Sequence, residues 1–199
     1  MACDRCVLLG CGILAKEVRY LIDKNAWSVD TDFLDSSLHI NFEALADALQ
    51  GGFKRNTGRD VVVFYGCCHP LIENMLEKAG TFRTEGQNCV EMLLGSEKFH
   101  QELTDGAFFL LEDWAKRWDE VVGKTFGNNP DVAREIFQLS SRYLLCLRTP
   151  CSGDFRQEAL TAGEKVGLPV RWLDVGLDHL EQVLKQVFER YHQQRSLRQ

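Results

Sequence analysis

Apolar positions along this chain follow two alternating rhythms. Residues 6–10, 61–65, 143–147 and 170–173 form short apolar runs of strand length, rich in leucine, β-branched and aromatic side chains. Between these runs apolar residues recur at helical spacing. Ile13, Leu14, Val18, Leu21 and Ile22 follow the first run, Phe42, Leu45, Ala46 and Leu49 precede the second, and Leu177, Leu180, Leu184, Val187 and Tyr191 follow the last. Residues 31–34 and 81–84 add two further strand expectations.

Punctuation supports the helices. Asn41 can cap the helix that ends at Gly51-Gly52, Pro70 and Gly80 bracket another, and Asn88 with Glu91 three residues later forms a capping-box start. Residues 111–139 are helical throughout, broken at Asn129-Pro130. About six strands alternating with helices predict an α/β fold: a single doubly wound domain over residues 1–192, with a mostly parallel sheet and helices on both faces. A helical insertion around 111–140 and a polar tail at 193–199 complete the expectation.

Composition narrows the function. The net charge is −6, with Lys and Arg scattered, so there is no basic footprint for nucleic acid or an anionic membrane. The apolar runs fall far short of the ~20 residues that span a bilayer. A small-molecule ligand or a metal is the expected partner. Leu8-Leu9-Gly10-Cys11 resembles a lipoprotein processing box, but too few residues precede it for a signal peptide, and it reads as strand and turn. The eight cysteines are therefore expected as reduced thiols of a cytoplasmic protein.

Three of the strand-to-helix turns carry cysteine: Leu9-Gly10-Cys11-Gly12, Tyr65-Gly66-Cys67-Cys68 and Thr149-Pro150-Cys151-Ser152-Gly153. In a parallel sheet these turns leave the carboxyl ends of strands, where ligands bind. A thiol at a helix start meets unpaired N–H groups and the positive end of the helix dipole, which predicts a lowered pKa. Converging thiolates repel one another unless a cation neutralises them. Cys11, Cys67 or Cys68, Cys89 and Cys151 are thus expected to include the ligands of zinc or an iron–sulfur cluster or to bind another cofactor, with His39 as a candidate imidazole ligand.

Glu17 falls inside the apolar stripe of the first helix, so a buried acid with a partner is expected. It would act as a general acid, as a group supporting a metal ligand, or in a salt bridge. His69 stands beside Cys68 at a cap position. Cys3 and Cys6 form an isolated Cys-x-x-Cys pair, and Cys146 lies mid-strand, where core packing is expected. The Thr149 to Asp154 turn has the shape of a weak anion cradle. No dinucleotide fingerprint, phosphate-binding P-loop or Gly-x-Ser-x-Gly elbow occurs.

Several of these segments together resemble the DUF1638 family, proteins of unassigned function found in methanogenic archaea and various bacteria. They are Cys11-Gly12-Ile13-Leu14-Ala15-Lys16-Glu17, Phe33-Leu34-Asp35-Ser36-Ser37-Leu38-His39, Tyr65-Gly66-Cys67-Cys68, Asn88-Cys89-Val90-Glu91-Met92-Leu93-Leu94-Gly95-Ser96 and Asp113-Trp114. The resemblance marks Cys11, His39, Cys68 and Cys89 as the recurring positions. Where the family has His-Asp before its third recurring cysteine, this chain has Gln87-Asn88. The resemblance further implies a role in one-carbon metabolism, either in methyl transfer or as an accessory protein that binds a metal or a corrinoid cofactor for a partner corrinoid methyltransferase.

Overall fold

A computed structural model describes residues 6–127 and 129–197. The chain divides into two compact units, one formed by Met1–Leu93 with Leu177–Gln199, the other by Leu94–Gly176.

The first unit is built on β1 (Cys6–Cys11), α1 (Ala15–Lys24), β2 (Asp30–Leu34), α2 (Phe42–Arg55), β3 (Asp60–Phe64), α3 (Ile72–Lys78) and α4 (Cys89–Leu94). The strands form a parallel sheet in the order β2-β1-β3, with Leu9 opposite Asp32 on one side and Val63 on the other. Every residue of β1 is buried, as expected of a central parallel strand covered on both faces. The Asp-Thr-Asp start of β2 marks an edge. Because β1 leads outward to β2 and the chain then crosses back to β3, the connections run in opposite directions. Right-handed crossovers then put their helices on opposite faces and open a crevice at the carboxyl ends of β1 and β3.

The second unit follows with α5 (Ser96–Thr104), β4 (Ala107–Leu110), α6 (Glu112–Lys116), α7 (Trp118–Phe126), α8 (Pro130–Ser140), β5 (Tyr143–Arg148), α9 (Arg156–Val166) and β6 (Val170–Asp174). Its parallel sheet runs β4-β5-β6, without a reversal of order. The chain then returns to the first unit with α10 (Asp178–Leu197). There Trp27 packs edge-on against Phe188, Tyr191 donates to Asp60 at 2.6 Å, and Lys24 pairs with Glu181 at 2.8 Å.

The α/β class, the parallel pairing and six strands among the described residues match the sequence reading, but they make two three-stranded sheets rather than one sheet of six. Residues 81–84, expected as a strand, touch β3 through a single parallel bridge between Val63 and Arg83. Their backbone brackets Val63, which donates to Phe82 at 3.0 Å and accepts from Thr84 at 2.8 Å. That irregular stretch occupies the outer edge of β3, where a further strand of the same sheet would pair. The strand the expectation lacks is β4, whose Phe108-Phe109-Leu110 runs directly into Leu111 and the helices. The helical stretch at 111–140 is therefore the crossover from β4 to β5.

The second unit's core gathers around Phe137, which is 2% exposed and packs against Phe108, Trp118 and Phe126 at ring separations of 4.8, 5.4 and 5.6 Å. Cys146 is fully buried in the same cluster, and burial pushes its thiol up to about 12. Phe137→Ala is expected to destabilise the protein by about 3–5 kcal/mol in urea unfolding. A loss below about 1 kcal/mol would show that this cluster does not carry the unit.

Candidate functional site

Cys11 closes β1 in an extended conformation, and the chain turns into a short 3-10 segment, Gly12–Leu14, before α1. Glycine is required at that bend, since a Cβ on Gly12 would lie 2.8 Å from the Leu34 carbonyl oxygen at the end of β2. Two residues beyond β3, Gly66 meets a tighter constraint. A Cβ there would stand 2.2 Å from the Gln87 carbonyl oxygen and 2.6 Å from Asn88 Cα, and the neighbouring Cys67 N–H donates to that same carbonyl at 2.7 Å. The turn after β3 and the start of α4 are thus pressed backbone to backbone.

The start of α4 is fixed as its sequence suggests. Asn88 Oδ1 accepts from the Glu91 N–H at 2.9 Å, and the Glu91 carboxylate accepts from the Gln87 N–H. His69 is not the cap of α3, whose N-cap residue is Leu71; its Nδ1 accepts from the Leu71 N–H at 2.9 Å in the turn before the helix, and its ring meets Phe42 edge-on. These devices deliver Cys11, Cys68 and Cys89 to one place in the first unit.

The electrostatics show that the three thiols feel one another. Cys89 is buried and hydrogen-bonded to Cys11, and this bond, its burial and the nearby Cys68 hold its thiol well above the ordinary range. Burial, then the Cys11 sulfur, pushes Cys68 up to about 11, against a weaker lowering by the Arg83 guanidinium. At Cys68 and Cys89 the shift is therefore opposite to the lowering expected from a helix start. Cys68 stands four residues before α3, and at Cys89 burial among sulfurs outweighs the dipole of a six-residue helix.

Tyr65, the first residue beyond β3, is acted on by the sulfurs of all three cysteines. It is 1% exposed, and its hydroxyl has no hydrogen-bond partner of normal geometry. Burial and the Cys11, Cys89 and Cys68 sulfurs all raise its pKa, so the phenol stays protonated. An unpaired buried hydroxyl of this kind costs about 1–3 kcal/mol. Among the described residues, no group of three or more His, Cys, Asp and Glu side chains stands at metal-ligating geometry.

The other expected residues are distributed as follows. His39 lies half-buried in the 3-10 segment Leu38–Ile40 after β2, where burial lowers its pKa against a smaller opposing effect of the Ser36 backbone. Glu17 is buried in the first turn of α1, 6% exposed, and is partnered within the protein. Cys67 is exposed and accepts a hydrogen bond from Arg83 Nη2 at 3.2 Å. That guanidinium is itself fixed by Glu73 at 2.7 Å and by the Thr84 and Gly86 carbonyls. Cys6 is buried in β1, while Cys3 lies outside the described residues.

Cys151 belongs to the second unit, in the turn after β5, where its N–H donates to Thr149 Oγ1 at 3.1 Å. The anion cradle read in this turn holds the protein's own carboxylate: the Gly153 N–H donates to Glu112 at 2.9 Å, and Lys116 pairs with the same group. Tyr65 and Arg83 are the residues that sequence reasoning passed over. Tyr65 carried a visible signal, a hydroxyl at the end of an otherwise apolar run. Arg83 carried none, because its contact with Cys67 arises only in three dimensions.

A family profile described as a protein of unknown function, DUF1638, matches residues 33–184. The matched span contains His39, Cys67, Cys68, Cys89 and Cys151 and begins after Cys11 and Glu17. No curated protein and no solved structure matches the chain.

Two outcomes follow from this geometry. Gly66→Ala forces a Cβ into backbone that no side-chain rotation can relieve, so it is expected to cost about 3 kcal/mol or more in urea unfolding, the top of the overpacking range. A stability unchanged from wild type would mean that the two backbones are not in contact. The second concerns pH. The folded state keeps thiol protons that the unfolded chain releases above about pH 8.5, so this stabilisation is complete below that pH and is lost as pH rises towards 11. Urea midpoints of the metal-free protein should fall across this window, less steeply in Cys68→Ser. Equal slopes in the two proteins would contradict the raised Cys68 value.

Proposed function

We propose that this chain, which belongs to the DUF1638 family of proteins of unknown function, is a metal-binding protein. Its ligands are the Cys11, Cys68 and Cys89 sulfurs, and its metal is zinc or the iron of an iron–sulfur cluster. The observation that supports the reading is that three thiols from three separate segments act electrostatically on one another and on one unpaired hydroxyl. Packed, inert cysteines do not need to meet, and this donor set suits thiophilic metals.

The raised pKa values argue against a free nucleophile. Thiols held protonated at neutral pH, as at Cys68 and Cys89, are poor attacking groups and need a nearby positive charge before they do chemistry. The sulfurs must lose protons to ligate, which makes metal affinity rise with pH. With three sulfurs assigned, the fourth position is left to His39 or to a thiol or water from outside.

A bound zinc would supply Lewis acidity and keep a coordinated thiol ionised. Around it, Tyr65 and the walls of β1 and β3 exclude water, the Gly66 contact holds Cys89 in place, and Arg83 sets a cation beside the exposed Cys67. Glu17 remains a candidate for supporting a ligand or carrying a proton. The link to one-carbon metabolism, through methyl transfer or service to a corrinoid methyltransferase, rests on the family resemblance, and thiolate-bound metal is compatible with it.

Metal analysis of protein purified without oxygen tests the reading. One zinc per chain without colour, or iron with a brown charge-transfer band, is expected, and Cys11→Ser, Cys68→Ser and Cys89→Ser should each remove most of it. Substoichiometric metal in wild type, indifferent to all three substitutions and to added zinc, would overturn the proposal.

A further inference from the structure

Among the described residues, Tyr65 Oη is the single buried side-chain oxygen or nitrogen without a hydrogen-bond partner. A phenylalanine would fill the same space without that penalty, as Phe64 does one position earlier, fully buried. The hydroxyl therefore answers to something other than packing. Its surroundings identify the partner: the polar groups that act on it are the sulfurs of Cys11, Cys89 and Cys68, with Cys11 the strongest.

A protonated thiol is a weak acceptor, whereas a thiolate is a strong one, and hydrogen bonds to an ionised acceptor are about twice as strong as neutral ones. The unpaired phenol hydroxyl is the donor that such a sulfur lacks. We infer that Tyr65 is a positioning residue of the thiol site, its O–H donating to the Cys11 sulfur once that sulfur is a metal ligand. This rests on the metal-binding reading and adds the group that orients the ligand and spreads its charge, as outer partners of metal ligands do. It also gives the unpaired hydroxyl opposite effects in the two states: a burden on the metal-free protein and a support for the loaded one.

Tyr65→Phe separates these effects, with zinc and cobalt(II) alone as the probes. The metal-free variant should melt at a higher temperature than metal-free wild type. Its zinc affinity, measured by competition with a chromophoric chelator, should be roughly ten- to a hundredfold weaker. In the cobalt-substituted protein the sulfur-to-metal charge-transfer band should move, because one sulfur has lost a donor. Equal zinc affinity with an unmoved band overturns the inference while leaving the metal reading intact, and a less stable metal-free variant with unchanged affinity overturns it too, assigning the hydroxyl to the stability of the metal-free fold. A wild-type protein that takes up neither metal defeats the metal reading itself, and this inference with it.

Discussion

Two stretches of backbone touch where Gly66 passes Gln87 and Asn88, and the candidate site depends on that approach. A single methyl group at residue 66 would stand 2.2 Å from a carbonyl oxygen, closer than any real contact. The Cys67 N–H completes the junction by donating to the same carbonyl. Cys68 lies two residues from the contact on one side and Cys89 two from it on the other. The third sulfur arrives by a different route, since β1 is the neighbour of β3 in the sheet and Cys11 is its last residue. Strand order and one glycine thus bring together residues 11, 68 and 89.

What that junction creates is a site whose electrostatics are ruled by burial. Helix starts favour thiolates, but the benefit acts within one turn and is worth at most about 2 kcal/mol. Taking a charge out of water beside other sulfurs opposes it, and at Cys68 and Cys89 the net direction is upward. The same setting keeps the Tyr65 phenol protonated. The result is that the Cys68 and Cys89 thiols and the Tyr65 phenol all favour their neutral forms. Cys67 stands apart, exposed and bonded to an anchored guanidinium.

Much of the architecture was legible in the sequence because it follows from local pattern. The runs at 6–10, 61–65 and 143–147 are apolar on both faces, which only a central or covered parallel strand tolerates, and Asn41, Asn88 and Asn129 cap helices as their types suggest. β4 was hidden because Phe108 to Leu111 is one apolar run that serves first a strand and then a helix. Residues 81–84 misled in the opposite sense: their composition suits a strand, yet they make one bridge along β3 and end its sheet. At the site, turn geometry pointed to Cys11, Cys67 or Cys68, Cys89 and Cys151, and the family resemblance singled out Cys11, Cys68 and Cys89; Cys151 lies in the other unit. The sign of their pKa shifts was not legible, because it depends on burial and on neighbours distant in sequence. The partnering of Tyr65 and Arg83 was hidden for the same reason.

The most direct test of the central claim is X-ray absorption at the metal edge of protein loaded with one equivalent of zinc. The account predicts three sulfur scatterers at about 2.3 Å, with a remaining light-atom ligand from His39 or water. A first shell of nitrogen and oxygen alone, at about 2.0–2.2 Å, would contradict it.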